Sequence, residues 1–238
     1  MKSVIVAHRG YSAAYPENSL LAMLAAIASG ARAVECDIQF TQDGVPVLYH
    51  DESGQRLSAQ PVDITQSSWQ AIKQWPNHYP QRFQHQFAGN KISCLADMVT
   101  VIHRHEVEWF IEIKHESLAH MTLDHAMQAV YDQVQSVQSK VWIISFVPEV
   151  ISWAKQRGLQ TGWVLPAFNS KIHNQADQLS PDLLIVDTRK VIEPARLWPA
   201  QWMVYVVNTR QDYEIWRSRV KWIETDDIGS HLFEHLRS

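Results

Sequence analysis

Two acidic residues separated by one position interrupt an otherwise apolar segment of the chain. Glu35 and Asp37 lie within Ala33–Phe40, and residues two apart on a β-strand point to the same face, whereas Cys36 between them points to the other. Two neighbouring anions inside a protein repel each other and lose their hydration. A hard divalent cation such as Mg²⁺ or Ca²⁺ removes that conflict, because both ions bind carboxylate oxygens. The spacing therefore indicates a metal site.

A third carboxylate is available from another short apolar segment. Glu112 interrupts the segment that begins at Trp109, and a neighbouring strand would bring it beside the first pair. The alternative is that these carboxylates form ion pairs with Arg9, Arg32 or Lys114, which is the commoner arrangement for an isolated Glu-x-Asp. We favour the metal because three carboxylates and two histidines occur at matching strand ends.

Those two histidines, His8 and His50, can transfer protons. Cleavage of a phosphodiester requires one group that deprotonates the attacking oxygen and another that protonates the leaving alkoxide. Imidazole titrates near neutrality and can serve in either role. Arg9 and Lys114 suit a phosphate, because guanidinium can bind two phosphoryl oxygens and ammonium adds a compact charge. Alternatively, these two cations neutralise the nearby carboxylates, which is compatible with phosphate binding.

Short β-branched segments alternate with longer helical patterns along the chain. The segments predicted to be strands are Val4–Val6, Ala33–Phe40, Trp109–Ile113, Val141–Ser145, Thr161–Leu165, Leu183–Val186, Met203–Val207 and Val220–Glu224. The main helical patterns cover Asn18–Ser29, Leu95–His105, Leu118–Val137 and Pro148–Arg157, and others lie between and after the later strands. Strands that each precede a helix form a parallel sheet, and eight such units can close into a (β/α)8 TIM barrel.

One region departs from this alternation. A turn at Gln42-Asp43-Gly44 is followed by a short extended arm, Val45–Tyr49, and residues 51–90 are then rich in Gln, Ser, Pro and Trp. We expect one short helix there, at Ser67–Gln74, and interpret 51–90 as an insertion over the barrel mouth. It is too short and too polar to form a separate core, so residues 1–238 are predicted to be one domain.

The barrel topology makes a prediction about where the reactive groups lie. In barrels of this type the site is at the C-terminal ends of the strands and in the loops that follow. His8-Arg9 ends the first predicted strand, Glu112 and Lys114 end the third, and His50 follows the turn after the second. The polar residues that interrupt apolar strands therefore cluster where a site is expected.

Composition limits the class of protein. A chain of 238 residues with a net charge of −4 lacks the basic excess of a nucleic-acid binder. Two cysteines, Cys36 and Cys94, do not make a disulfide framework and suit a reducing compartment. The apolar run Ser3–Ala7 is too short for a signal sequence, and no stretch reaches the ~20 apolar residues of a membrane helix. These features predict a cytoplasmic enzyme without stable membrane insertion, and they do not indicate an oligomeric state.

Several motifs in the first half of the chain occur in a characteristic order. They are His8-Arg9-Gly10, Pro16-Glu17-Asn18-Ser19, Val34-Glu35-Cys36-Asp37-Ile38-Gln39, Asp43-Gly44-Val45-Pro46-Val47, His50-Asp51 and Ile111-Glu112-Ile113-Lys114. Their order and spacing resemble the motifs of the glycerophosphodiester phosphodiesterase family, in its bacterial cytoplasmic form. In the second half, Ser145-Phe146 and Thr225-Asp226 resemble later motifs. Tyr205 stands near the position of a family Trp-Thr, and Lys221-Trp222 replaces an Asp-Gly.

The resemblance implies roles for individual residues. Glu35, Asp37 and Glu112 would bind one Mg²⁺ or Ca²⁺, and His8 and His50 would be the general base and acid. Arg9 and Lys114 would hold the phosphate. Glu17 and Asn18 would orient His8 or contact the metal-site network, and Asp51 would orient His50 or simply begin the next turn.

The implied reaction is hydrolysis of a small glycerophosphodiester to glycerol 3-phosphate and an alcohol, within glycerol and lipid metabolism. The first alternative is a related barrel phosphodiesterase that acts on phospholipid or lysophospholipid, and the second is a barrel that binds a phosphodiester without cleaving it. A metal-dependent sugar isomerase would need further ligands from later strands, which offer Asp187 and Asp226 but no convincing histidine cluster. Phe146, Trp163 and Tyr205 could line a substrate pocket, although we expect such strand-end aromatics to be core.

Overall fold

The chain folds as a closed barrel in the computed structural model, which describes residues 3–191 and 198–230. Its strands are β1 Val4–Ala7, β2 Ala33–Phe40, β3 Pro46–Leu48, β4 Glu108–Ile113, β5 Val141–Ser145, β6 Gln160–Val164, β7 Leu183–Asp187, β8 Trp202–Tyr205 and β9 Trp222–Thr225. All pair in parallel except β3, which runs antiparallel to β2, and β1 pairs with both β2 and β9. The predicted (β/α)8 TIM barrel is confirmed.

Helices connect the strands around the outside. The α-helices are α1 Leu20–Ala28, α2 Gln55–Ser58, α3 Trp69–Ile72, α4 Pro80–Phe83, α5 Leu95–Arg104, α6 Leu123–Val134, α7 Pro148–Gln156, α8 Ser170–Leu179 and α9 Arg210–Trp216. Short 3₁₀ segments occur at Ile64–Gln66, Ser117–Ala119, Gln135–Lys140 and Thr188–Lys190. Helix α1 begins where the Ser19 hydroxyl accepts a hydrogen bond from the Ala22 amide, which satisfies one of the free N–H groups of a helix start.

One sequence expectation about a helix needs correction. The single helix predicted for Leu118–Val137 is divided into a 3₁₀ turn, α6 and a second 3₁₀ segment, because Thr122 caps a new helix start by accepting from the His125 amide. The helical patterns expected between β7 and β8 and after β9 fall partly on residues 192–197 and 231–238, which lie outside the described residues.

The main hydrophobic core lies between the barrel and its helices. Along β2, Cys36 and Ile38 point outward into this core, where the Cys36 sulfur meets that of Met98 on α5 at 3.5 Å. The alternate residues, Glu35 and Asp37, therefore point into the barrel, as the spacing predicted.

The barrel interior has an aromatic floor below the level of the acidic residues. Phe110, Trp142 and Trp222 contact one another, with ring centroids 5.2–5.8 Å apart. Aromatic rings fill much volume with few polar atoms, and Glu108 accepts a hydrogen bond from the Trp222 indole at 3.0 Å. The floor fills the lower interior, so that polar groups gather at the C-terminal mouth.

Residues 51–90 contain more local structure than predicted. The expected helix at 67–74 is observed as α3, but α2, α4 and a 3₁₀ turn are also present, and elements of three or four residues are too short to produce a hydrophobic period. Buried side chains from this segment, Leu57, Ile64 and Ile72, pack with Val47 and Tyr49 beside β3. The assignment of residues 1–238 to one domain stays a prediction.

The length and apolar character of the helices decide whether any of them could cross a membrane. Within residues 3–191 and 198–230, none is both long enough and apolar enough to span a bilayer.

Candidate active site

Three carboxylates meet inside the barrel mouth. Glu35 and Asp37 project from β2, and Glu112 projects from β4 at the position that pairs with Asp37 in register. One oxygen of each lies within 4.8 Å of the other two. Glu35 and Asp37 are only 2% and 1% exposed, so little water screens their mutual repulsion.

The electrostatics of this cluster favour a bound cation. Burial and the neighbouring carboxylates raise the pKa of Glu35 well above its usual range, and burial with Asp37 also raises the pKa of Glu112. Burial alone would do the same to Asp37, but Arg9, His50 and Lys114 lower its pKa. The buried Glu35 Oε1 has no hydrogen-bond partner within the described residues. Hard, closely spaced oxygen donors, one of them unsatisfied, fit a divalent cation.

The turn after β1 supports the cluster from one side. The Asn18 side-chain amide donates to Asp37 Oδ2 at 2.8 Å, and its oxygen accepts from the Asp37 amide at 2.9 Å. Gly10 has a φ of +79°, and a Cβ there would lie 2.6 Å from the backbone carbonyl carbon of Ala22, so this close approach of the turn to α1 requires glycine. The turn also directs the Arg9 amide to Glu35 Oε2 at 2.9 Å.

Arg9 and Lys114 border the same carboxylates. Arg9 donates to Glu17 at 2.8 Å, and its Nε lies 3.1 Å from Asp37 Oδ2, near enough for an ion pair although the N–H is not aligned for a hydrogen bond. Lys114 lies 3.1 Å from Glu112 and 3.6 Å from Asp37. Both cations therefore neutralise carboxylates, and both also line the central cavity. Arg32 is exposed and lies away from this cluster.

His8 is oriented by Asp226, in the loop that follows β9. The His8 Nδ1 and Asp226 Oδ1 atoms are 2.7 Å apart, and Ser12 and Asn208 donate to the same carboxylate. Burial and Arg9 oppose protonation of His8, but Glu224 and Asp226 outweigh them and raise its pKa. Although burial would raise the pKa of Asp226, the hydrogen bond from His8 lowers it to about 2.

The positions of Glu17 and Asn18 do not match the first of their two expected roles, which was to orient His8. Within residues 3–191 and 198–230, neither side chain has a hydrogen bond to His8, whose Nδ1 is paired with Asp226. Asn18 holds the carboxylate cluster, and Glu17 accepts hydrogen bonds from Arg9 and Arg56. Asn77, in the insertion, donates to the backbone carbonyls of both. The second expectation, contact with the acidic network, matches the geometry.

His50 forms a second imidazole–carboxylate pair. Its Nδ1 lies 2.7 Å from Asp51 Oδ1, and Arg56 from α2 binds both oxygens of Asp51 at 2.7–2.8 Å and both of Glu17 at 2.8–2.9 Å. Burial would raise the pKa of Asp51, but His50 and Arg56 lower it well below its usual range. Arg56 thereby fixes the insertion to the barrel mouth beside both histidines.

A central cavity of about 150 Å³ joins these groups. Its charged side includes both histidines, Arg9 and Lys114, and its other side is formed by Ile144, Phe146, Val164, Ile185 and Tyr205. Phe146 and Tyr205 line this cavity and are also packed, partly buried, against the core inside the barrel, so each is both core and cavity wall. Trp163 is in the core outside the barrel, as expected.

A fourth interior carboxylate, Glu224 on β9, also lines this cavity. Burial and the nearby Glu112 and Asp37 raise the pKa of Glu224 to about 7, although His8 and Arg9 act in the opposite direction. Sequence reasoning missed Glu224, and it also missed the contacts of Asp226 and Arg56. The signal for Glu224 was present, since it interrupts the apolar strand Trp222–Thr225 as Glu35 interrupts β2.

The two late-strand acids weighed for a metal-isomerase site do not join the acidic cluster. Asp187 binds Arg189 through both oxygens, and Asp226 binds His8. The arrangement as a whole combines a cation site, two imidazoles held by carboxylates and two further cations around one cavity. Such a set suits the transfer of a phosphoryl group between oxygens.

Comparison with known proteins gives a family for this arrangement. The model of the glycerophosphoryl diester phosphodiesterase family matches residues 8–230. "Glycerophosphodiester phosphodiesterase 1" of Mus musculus is 35% identical over 155 residues, which cover 63% of this chain and 45% of the mouse protein. The matched segment is thus less than half of that relative.

Solved structures share the fold. An Oleispira antarctica phosphodiesterase in complex with the product sn-glycerol-3-phosphate superposes with a TM-score of 0.84 at 19% identity, covering 94% of this chain and 93% of the other. A glycerophosphodiester phosphodiesterase from Thermotoga maritima gives a TM-score of 0.74 at 22% identity over 99% of each chain. At these identities the likeness concerns the architecture of the barrel.

Proposed function

Because the chain belongs to the glycerophosphoryl diester phosphodiesterase family, we propose that it hydrolyses small glycerophosphodiesters to glycerol 3-phosphate and an alcohol. The observation that carries the proposal is the convergence of three carboxylates and two His–Asp pairs on one cavity. The proposed substrates are esters such as glycerophosphocholine and glycerophosphoethanolamine.

Glu35, Asp37 and Glu112 would hold one Mg²⁺ or Ca²⁺. When bound, the cation supplies charge stabilisation to the phosphoryl oxygens as negative charge develops on them. The unsatisfied Glu35 Oε1 and the raised pKa of Glu35 support this assignment. Both ions accept carboxylate oxygens, and we expect metal removal to abolish turnover.

Arg9 and Lys114 would bind the phosphate. In this structure their charges lie against the carboxylates of Asp37, Glu17 and Glu112. A cation bound among the carboxylates would take over part of that neutralisation, which frees the guanidinium and ammonium donors for phosphoryl oxygens. The same two side chains also keep the diester in a fixed orientation, which is a large part of the acceleration in phosphoryl transfer.

His8 and His50 would carry out the proton transfers. One imidazole takes the proton of the attacking oxygen as its bond to phosphorus forms. The other, protonated beforehand, gives its proton to the alcohol oxygen as the bond of that oxygen to phosphorus breaks, so that the product leaves as a neutral alcohol rather than as an alkoxide. Asp226 and Asp51 each bind Nδ1, which leaves Nε2 of both rings free to serve the cavity.

The proposal is tested by release of glycerol 3-phosphate from glycerophosphocholine and glycerophosphoethanolamine. The assay is run in EDTA and again after addition of Mg²⁺ or Ca²⁺, with His8→Ala protein as the background. Metal-dependent release above that background is the expected result. If neither ester is cleaved with either metal, the proposed substrate class is wrong, and lysophospholipids become the next class to assay. A cytoplasmic location and the place in lipid metabolism stay predictions.

A further inference from the structure

Glu224 helps to raise the pKa of His8, but the proposed chemistry assigns it no ligand. This carboxylate projects into the barrel from β9, is 4% exposed and lines the central cavity. Its Oε1 is buried without a hydrogen-bond partner within the described residues. An unsatisfied buried carboxylate oxygen destabilises the fold, so its position calls for a ligand that completes its hydrogen bonding.

Glu224 is separate from the acidic cluster that would hold the cation. Within the described residues, the carboxylates whose oxygens all lie within 4.8 Å of one another are Glu35, Asp37 and Glu112. Glu224 lies on the opposite side of β1 from β2, next to β8. A ligand group other than the metal is therefore the better partner for it.

Tyr205 is the neighbour of Glu224 on the adjacent strand, and His8 and Arg9 lie on the other side of the same cavity. Strands β8 and β9 pair with Met203 opposite Trp222 and Val204 opposite Ile223, and this register continues to bring Tyr205 level with Glu224. Both side chains line the cavity, in a wall that otherwise consists of Ile144, Val164, Ile185 and Phe146. A phenol that can donate and a carboxylate that can accept thus stand side by side in an apolar surface.

The volume of the central cavity limits which part of a diester can reach Glu224 and Tyr205. A volume of about 150 Å³ is small beside the ~300–1,000 Å³ of sites that enclose a drug-sized ligand. A second, wider cavity of about 710 Å³ shares His8, Arg9 and Tyr205 with it. The inner cavity accommodates a phosphate and one short alcohol, and the outer cavity has room for the other alcohol.

We propose that Glu224, together with Tyr205, binds the hydroxyl groups of the glycerol moiety in the inner cavity and so selects phosphate esters of a polyol over those of a simple alkanol. This inference rests on the proposed function, because it assumes a glycerophosphodiester substrate. Hydroxyl groups can donate to the carboxylate and accept from the phenol, whereas an alkyl ester would leave the buried Glu224 oxygen unpaired. Sites that hydrogen-bond a substrate hydroxyl discriminate strongly against analogues that lack it.

The test compares two ligands that differ only in hydroxyl groups. Binding of sn-glycerol 3-phosphate and of n-propyl phosphate is measured by calorimetry in saturating Mg²⁺, without any turnover. The wild-type protein should bind glycerol 3-phosphate about 10–100-fold more tightly, as expected when a charged hydrogen-bonding group is satisfied. Glu224→Leu should reduce this ratio to within about threefold of one, and Tyr205→Phe should reduce it in part.

Three controls separate recognition from general damage. Retained binding of n-propyl phosphate by Glu224→Leu shows that the phosphate site is intact, and Glu224→Gln, which keeps an acceptor oxygen and the side-chain shape, should keep part of the ratio. Glu106→Gln changes an exposed carboxylate that does not line the cavity and should leave the ratio unchanged.

Three results would overturn the inference. The first is an unchanged ratio in Glu224→Leu, and the second is an equal loss of both ligands, which would indicate a role toward metal or phosphate. The third comes from a parallel titration with O-phosphoethanolamine: a loss in Glu224→Leu of binding of this ligand alone would assign the carboxylate to a head-group ammonium. Failure of the proposed function is distinguished separately, because it appears as absent glycerol 3-phosphate release in the wild-type protein.

Discussion

The barrel mouth has two halves with different construction. One half carries the charged groups, on β1, β2, β4 and the segment after β3: His8, Glu35, Asp37, His50 and Glu112. The other half carries mainly apolar side chains, on β5 to β8: Ile144, Phe146, Val164, Ile185 and Tyr205. Both halves face the same cavity.

The two halves are held in place by different forces. Asp37 has contacts with Asn18, Arg9 and Lys114, so its orientation is fixed several times over. The apolar wall is positioned by packing against the aromatic floor and its neighbours, which tolerates changes of shape more readily. Under the proposed function, the charged half would perform the reaction and the apolar half would determine which alcohol is accepted.

The largest effect is expected for a histidine of the charged half. His8→Ala should lower kcat by about 10²–10⁴-fold, the usual contribution of a positioned proton-transfer group, with an unchanged circular dichroism spectrum. His103→Ala, which removes an exposed histidine from α5, is the matched control. Near wild-type turnover in His8→Ala would refute the proton-transfer assignment and remove the contrast between the halves.

A second prediction concerns the acidic cluster. Substitution of Glu35 should weaken metal binding but should stabilise the metal-free protein. Glu35→Gln should weaken Mg²⁺ binding at least tenfold, because a charged ligand is lost. In EDTA the same variant should unfold at a higher temperature than wild type, by about 2–4 °C for each kcal/mol of repulsion removed. Calorimetric titration and thermal unfolding measure the two effects.

The pH dependence of that stability gain follows from the raised pKa of Glu35. A carboxyl group whose pKa is raised in the folded state loses its stabilising contribution as pH rises through the folded value. The advantage of Glu35→Gln should therefore grow as pH increases above 4.5, the ordinary value for the side chain. Glu106→Gln, at an exposed position, should show neither effect, and unchanged Mg²⁺ affinity in Glu35→Gln would contradict the metal assignment.

A smaller effect is expected where a carboxylate acts through an imidazole. Asp226→Asn removes the charge that helps raise the pKa of His8, so the limb of the pH–rate profile that His8 controls should move to lower pH. We expect kcat to fall about 10–100-fold, less than in His8→Ala, because the ring remains. A lower rate with an unshifted profile would show that Asp226 does not act through His8.

The smallest effect belongs to the apolar half. Ile185→Val removes one methylene from the cavity wall, which should alter KM by a few-fold and leave kcat within about twofold. Steady-state kinetics with glycerophosphocholine and glycerophosphoethanolamine provide the measurement. A large drop in kcat with unchanged KM would place this wall in the chemical step and break the division between the halves.

The two halves of the barrel mouth also differ in how well the sequence predicted them. Glu35, Asp37 and Glu112 were found because charges that interrupt an apolar strand of period two must point inward. The barrel itself followed from eight alternating units. In the charged half, local spacing and strand order carried most of the information.

Contacts between distant segments could not be predicted in this way. His8 is bound by Asp226, 218 positions later in the chain, and Arg56 joins Glu17 to Asp51 from a four-residue helix. Such pairings depend on how the barrel closes and how the insertion folds back, and no local pattern records them. The sequence could not decide whether Phe146 and Tyr205 belong to a pocket or to the core, since a strand-end aromatic looks the same in sequence whether it faces a cavity or a core.

The most direct test of the central claim follows activity and metal occupancy together. Metal-free wild-type protein is titrated with Mg²⁺, and binding by calorimetry is compared with glycerol 3-phosphate release from glycerophosphoethanolamine, with Glu35→Gln in parallel. We expect release to rise in proportion to the filling of one site in the wild type, and both curves to require much higher Mg²⁺ in the variant. Undiminished release in EDTA would contradict this expectation.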